Sequence, residues 1–249
     1  MDLATIDYAE LRETFDREGY ALVRNVLDEN ERKQVIELTE TYLGESETDN
    51  KHSSSDPSSI TVLREKAKTD EYFAALRERP DILELARAVL GPKIAHCGHS
   101  ILKCAKGQGH KQWHIDDTLE HPRPESTTWE DVGLPMPVLW MSIQFAITDI
   151  TSEENGPTQI VPRSHFSGLL PEQDHVKEPD EKNPPQYRGQ GPVPILCNAG
   201  DAYLFNHQIW HRGSINHSEQ TRYLMQQQYC QAWLNGRFRW ISQGLSTES

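Results

Sequence analysis

The apolar positions follow two regimes along the chain. Through about residue 92 they recur at helical spacing, whereas from Ile94 onward they gather in short runs separated by glycine and proline. Tyr8, Leu11 and Phe15 share one helix face over residues 8 to 18, Gly19 stops that helix, and Tyr20 to Leu27 reads as a strand. A second helix begins at Asp28, where Asp28 and Glu31 have the spacing of a capping box, and Val35, Ile36, Leu38, Tyr42 and Leu43 form its apolar stripe. That stripe is core packing. Residues 44 to 58, with Ser53, Ser54, Ser55 and Pro57, make a polar loop. Helical patterning resumes from Asp70 to Arg77 and again from Pro80, a first-turn proline, to Leu90, closed by Gly91 and Pro92. The first third is thus helices that back a sheet.

Beyond Ile94 the short strands and turns predict a β-sandwich or barrel. Gly107, Gln108 and Gly109 turn the chain into a strand carrying His114 and Asp116. Residues 117 to 137 hold Pro122, Pro124, Pro135, Pro137 and Trp129, a loop long enough to be a wall or lid of a pocket. Val138 to Ile147 is a buried strand with one amide, Gln144, which needs a hydrogen-bond partner there. Residues 171 to 192 are charged and proline-rich, a surface insertion and a second lid candidate. Pro194 to Leu196 with Gly200 and Asp201 lead into an apolar run, Ala202 to His211, expected as one strand. Across the turn-rich patch Asn216 to Glu219, Thr221 to Tyr229 reads as its antiparallel hairpin partner. The expectation is one domain over residues 1–249, α+β and predominantly β, with helical support over about 1–92 and a β core over about 93–235.

Charge narrows the partners. The formal net charge of −13 leaves no basic footprint for nucleic acid or an anionic membrane, and counts mildly against a thioester of phosphate-rich CoA. No stretch approaches the roughly 18 apolar residues of a bilayer span, and the first residues lack a basic and apolar leader, so a cytoplasmic protein acting as monomer or homodimer is expected. Cys97, Cys104, Cys197 and Cys230 show no paired spacing and are expected as reduced core or near-core thiols.

The chemistry sits in His114-Ile115-Asp116. In an extended strand the side-chain period is two, so His114 and Asp116 face one point while Ile115 faces away. A third ligand from another strand would complete two histidines and one carboxylate on one octahedral face, the ligand set of mononuclear non-haem Fe(II) oxygenases. His211, ending its apolar run, supplies that ligand. Arg222 returns to its neighbourhood as a clamp for an anionic co-substrate. His96, His99 and His110 are rival ligands that lack a carboxylate at strand period together with a downstream His and Arg pair.

The set His114, Asp116, His211 and Arg222 resembles the phytanoyl-CoA dioxygenase family of Fe(II)/2-oxoglutarate-dependent oxygenases. The segment Asp149 to His165, which carries Thr151, Asn155, Gly156, Pro162, Ser164 and His165 in the same order, is similar to that family's central D-x-T-x-x-N-G and P-G-S-H pattern, with one more residue between Thr151 and Asn155. Phe15 to Leu27 resembles its N-terminal strand entry, so the matches run in family order from about residue 8 to about 235. Two departures stand out. Arg163 occupies a common glycine position, and Gly213 with Ser214 replaces a serine that in some members helps to hold 2-oxoglutarate.

The resemblance implies a double-stranded β-helix, or jelly-roll, core. It also implies Fe(II) on His114, Asp116 and His211, and 2-oxoglutarate held by Arg222 with Thr158, Gln112 and Gln144 as further contacts. With O2 this yields succinate, CO2 and an oxidised small-molecule substrate, most simply a hydroxylated metabolite of secondary metabolism. Asp116 argues against halogenation, because related halogenases put halide in place of the carboxylate. Two other classes use the same frame: a catalytically silent jelly roll that binds a metal or ligand, and a zinc hydrolase, which would have no use for the Arg222 clamp.

Overall fold

A computed structural model of the chain describes residues 1–45, 59–116, 127–133, 137–171 and 182–237. The first helix, α1, spans Tyr8–Glu18. The Asp7 side chain accepts from Ala9 and Glu10 at its start, and Gly19, at φ 82°, ends it in the left-handed conformation that glycine adopts without steric cost. Strand β1 (Tyr20–Val23) is shorter than the expected run to Leu27. Val26 and Leu27 instead give their N–H groups to the carbonyl of Gly200.

Helix α2 (Glu29–Glu45) opens with the expected capping box: the Glu31 amide donates to Asp28 Oδ1 at 2.9 Å and the Asp28 amide to Glu31 Oε2 at 2.8 Å. Strand β2 (Thr61–Leu63) and the short helix α3 (Glu65–Thr69) carry too few residues to show a period, and sequence patterning misses both. Helix α4 (Glu71–Arg77) is capped by Asp70, and α5 (Pro80–Leu90) starts on its proline and stops at Gly91, as expected. The loop expected over 44–58 lies outside the described residues from 46 onward. So do 117–126 and 134–136 of the first expected lid, and 172–181 of the second.

The remaining elements are strands β3 (Ile94–Cys104), β4 (Trp140–Ala146), β5 (Thr158–Ile160), β6 (Val193–Pro194), β7 (Ala202–Asn206), β8 (His211–Gly213) and β9 (Arg222–Gln231), with the short helices α6 (Trp129–Val132) and α7 (Ala232–Arg237). Among the described residues six strands form one sheet in the order β1-β7-β4-β9-β3-β2, and three form a second in the order β6-β5-β8. Every strand pair is antiparallel. The architecture is a jelly-roll core backed by the N-terminal helices.

Alternation along the central strands sorts the core into two layers. Met141, Ile143 and Phe145 of β4 and Tyr223, Met225 and Tyr229 of β9 pack with Leu11, Phe15, Val35, Phe73, Ile82 and Leu85 of the helices. Ala146, Tyr203, Phe205 and Leu224 face the other way, in a cluster with Ile150 and Ile160. The expected hairpin of Ala202–His211 with Thr221–Tyr229 does not form. The apolar run breaks after Asn206, so that β7 joins the large sheet, β8 joins the small one, and β9 pairs with β3 and β4. A jelly roll needs the chain to cross between sheets, and residues 207–210 make that crossing.

Cys104, Cys197 and Cys230 are buried as expected, whereas Cys97 is exposed where the β3–β9 register slips between His96 and Gly98. No helix among the described residues is long and apolar enough to cross a membrane.

His99 and His165 are among the histidines buried in the neutral form. Burial pushes His99, against the ring of Phe73 at 5.4 Å between centroids, down to about 3, and pushes His165 down to about 4. Their unfolded pKa is about 6.5, so between pH 6.5 and about 4 the unfolded chain binds protons that the folded chain refuses. Stability should therefore fall as pH drops through this window, by on the order of 1–2 kcal/mol per histidine at pH 5. Urea midpoints at pH 7 and pH 5 would show the loss, and His99→Leu should flatten the slope without lowering the midpoint at pH 7.

Candidate metal centre

His114 and His211 are held by one isolated antiparallel bridge rather than by the regular strand expected for residues 112–116. The His114 amide donates to the carbonyl of His211 and the His211 amide to that of His114, each at 3.0 Å. Two residues on, the Asp116 amide donates to the carbonyl of His207 at 3.0 Å. His114 thus extends the small sheet beyond β8, and the alternation that places His114 and Asp116 on one side survives without a full strand. Ile115 points to the other side, into a cluster with Trp113, Val161, Tyr187 and Trp210.

The two imidazoles are oriented by the same device. His114 Nδ1 lies 2.9 Å from the carbonyl of Gln112, and His211 Nδ1 lies 2.9 Å from that of Ile209. A carbonyl can only accept, so each Nδ1 carries the proton and each Nε2 keeps its lone pair for a ligand. One ligand atom each from His114, Asp116 and His211 lies within 4.8 Å of the others, and among the described residues no other cluster of three such side chains does so.

Asp116 Oδ1 is 3.5 Å from His211 Nε2, with the side chains 16% and 6% exposed. Burial alone would raise the carboxyl and lower the imidazole. Their mutual attraction outweighs it in both directions, holding Asp116 below the usual carboxylate range and His211 above the usual histidine value. His114 is pushed down to about 3 by burial and by its neighbour His211. Two imidazole nitrogens and one carboxylate converging in one pocket fit a divalent transition metal, which would take the place of the proton that Asp116 draws to His211.

These ligands line a cavity of about 140 Å³ that also takes in Gln144, Thr158 and Arg222. Arg222 is 3% exposed, yet its Nε and Nη1 have no hydrogen-bond partner, and no acid pairs with it among the described residues. A buried guanidinium in that state is costly and calls for an anion. A larger cavity of about 720 Å³ lies against α1, between Arg12, Asp16, Glu130 and Phe166, and contains none of the three ligands.

Thr158 and Gln144 line the cavity directly and are joined behind it by a shared hydroxyl: Thr158 Oγ1 lies 2.7 Å from Tyr203 Oη, which also donates to Gln144 Oε1. The Gln112 side chain is exposed and does not line the cavity, and its carbonyl is what serves the site. Ser214 does not stand in for the serine of some family members. Its hydroxyl donates to the carbonyl of Pro157 at 2.6 Å, and Gly213 is what faces the cavity. Of the rival histidines, His110 packs edge-on to His114 at 4.7 Å between ring centroids but falls outside the convergent set, and His96 packs with Tyr229 on the helix side of the large sheet.

Sequence patterning missed Ser142, whose hydroxyl donates to Asp116 Oδ2 at 3.3 Å, and the inward amides of Gln226 and Gln228 behind it. Their signal was polar residues at period two in strands otherwise apolar.

The phytanoyl-CoA dioxygenase family profile matches residues 15–224. An uncharacterised protein of Mycobacterium tuberculosis is 24% identical over 228 residues, covering 90% of this chain and 75% of that protein. The multifunctional dioxygenase prhA of Penicillium brasilianum is 33% identical over 88 residues, 35% of this chain and 27% of that protein. Among solved structures, the non-heme alpha-ketoglutarate-dependent carbocyclase SnoK from nogalamycin biosynthesis superposes with a TM-score of 0.72 at 18% identity, over 99% of this chain and 93% of its own. HygX from Streptomyces hygroscopicus, solved with nickel and 2-oxoglutarate bound, gives 0.68 at 17% identity, over 89% of this chain and 86% of its own. These two likenesses establish the fold.

Asp116→Ala and His211→Ala should each abolish stoichiometric Co(II) binding in an anaerobic titration, whereas His96→Ala should leave it intact.

Proposed function

The chain belongs to the phytanoyl-CoA dioxygenase family, and from that membership and the geometry of the cavity we propose that it is an Fe(II)- and 2-oxoglutarate-dependent oxygenase acting on a small metabolite or natural product. The observation that carries this reading is Arg222, a buried guanidinium with two unpartnered nitrogens in the same small cavity as three convergent metal ligands. A metal alone would not explain it. A dicarboxylate reaching from the metal to the guanidinium answers both, because a carboxylate can accept two parallel hydrogen bonds from arginine.

His114, Asp116 and His211 would hold Fe(II) through the two Nε2 atoms and one carboxylate oxygen. Three positions then stay open for exogenous ligands. Thr158 and Gln144, joined through Tyr203, line the same cavity as the three ligands and Arg222 and would hold the keto acid in place. Iron with 2-oxoglutarate and O2 would supply a two-electron oxidation of the substrate, one oxygen atom ending in succinate as the keto acid loses CO2 and the other in the product. The simplest outcome is hydroxylation of an unactivated C–H bond.

The cavity of about 140 Å³ is small against the roughly 300–1,000 Å³ of ordinary ligand pockets, so it suits the co-substrate and leaves the primary substrate outside it. The formal net charge of −13 disfavours a CoA thioester. Neighbours of the same fold point to natural products: HygX has also been solved with hygromycin B, and the epimerase SnoN with nogalamycin RO.

Two measurements follow. In a succinate-release assay, Arg222→Ala should raise the 2-oxoglutarate concentration required by about 10- to 100-fold, the worth of charged hydrogen bonds of about 1.5–3 kcal/mol. In thermal melts, 2-oxoglutarate with a redox-silent divalent metal should stabilise the native chain. Arg222→Met should lose that shift while melting no lower than the native chain without ligand, since it removes a buried unpaired charge. Equal 2-oxoglutarate dependence in the native and Arg222→Ala proteins would sink the clamp.

A further inference from the structure

The large sheet carries a polar ladder on its inner face that ends on the carboxylate ligand. β4 and β9 are in register at Ser142↔Gln228 and Gln144↔Gln226, and β9 and β3 at Gln228↔Gly98 and Gln226↔Ser100. Ser142, fully buried, receives the Gln226 amide N–H₂ at 3.2 Å and that of Gln228 at 3.4 Å. Ser100 in turn donates to Gln226 Oε1 at 3.1 Å, which fixes the direction of that amide. Gly98 is part of the arrangement, because a Cβ there would fall 2.0 Å from Gln228 Oε1. A side chain at this position would displace the Gln228 amide from its place.

A serine hydroxyl has one proton and two lone pairs. Here both lone pairs face amide donors, so the proton has one place to go, Asp116 Oδ2 at 3.3 Å. The geometry points to Ser142 as a positioning residue for the metal centre: its hydroxyl, oriented by Gln226 and Gln228, occupies one oxygen of Asp116 and leaves Oδ1, the oxygen nearer His211, as the single ligating atom. This inference rests on the reading of His114, Asp116 and His211 as the metal site. It adds the outer partners that keep the carboxylate from closing on the ion with both oxygens, which would consume a coordination position needed by the co-substrate. It also explains why a strand otherwise fit for a core carries Gln226 and Gln228 on its inner face.

The test is metal binding, read without turnover. Co(II) is titrated anaerobically into the native protein, Ser142→Ala, Gln228→Leu and the double variant, each checked for folding by its thermal melt. Ser142→Ala should weaken Co(II) by about 10- to 100-fold, the usual cost of losing an outer hydrogen bond to a ligand. It should also shift the Co(II) d–d bands as Asp116 becomes free to bind through both oxygens. Gln228→Leu should weaken binding less, and the double variant should be no weaker than Ser142→Ala alone, because Gln228 acts through the hydroxyl. Additive losses, or Ser142→Ala binding Co(II) with native affinity and spectrum, would overturn the assignment while leaving the metal site in place. If the native protein and His211→Ala bind Co(II) alike, the site itself is wrong and the ladder has no ligand to position.

Discussion

The register between β4 and β9 is the constraint from which the rest of the molecule follows. These two neighbouring strands stand in the middle of the large sheet, and a shift of one residue in either would turn every side chain to the opposite face. In the observed register Met141, Ile143, Phe145, Tyr223, Met225 and Tyr229 all meet the helices, and that apolar layer pins the pairing. The inner face is then free to be polar. Arg222, Leu224, Gln226 and Gln228 form one line along β9, with Ser142 and Gln144 beside it on β4, so the proposed clamp, a cavity wall and the support of a proposed metal ligand share one row of alternate positions.

Much of this was legible in the sequence because the devices are local. Gly19, the Asp28 and Glu31 box, Asp70 and Pro80 each mark a helix end through chemistry completed within four residues, and those boundaries fall where the structure places them. His114 and Asp116 needed only the period of an extended chain. The crossing after Asn206 was less legible. Ala202 to His211 is buried throughout, and its one cue is the polar trio Asn206, His207 and Gln208, which does not say which sheet each flank joins. His211 and Arg222 still meet at one cavity, but across the gap between two sheets rather than along a hairpin. At Gln112 sequence spacing names a residue, while the structure shows its exposed side chain away from the cavity and its carbonyl 2.9 Å from His114 Nδ1.

Arg163 shows how a departure from a family pattern is accommodated. It sits at φ 66°, where glycine is the comfortable choice and a bulky side chain costs about 1 kcal/mol or more. Its amide donates to the carbonyl of Glu18 at 2.9 Å, and its guanidinium pairs with Glu130 of α6. Glu130 also takes Arg188 at 3.1 Å and the Tyr187 hydroxyl at 3.2 Å. The turn keeps its left-handed residue, and the Arg163 side chain ties that turn to α6, whose Glu130 in turn holds Tyr187 and Arg188.

The mutual bridge between His114 and His211 has a mechanical consequence. Because each backbone holds the other, the two imidazoles move as one chelating unit belonging to the small sheet, while the side chain of Asp116 is tethered to the large sheet through Ser142. An ion seated among the three would therefore fasten one sheet to the other, like a rivet through two plates, and any breathing of the jelly roll would be felt chiefly as tension on the bond to oxygen.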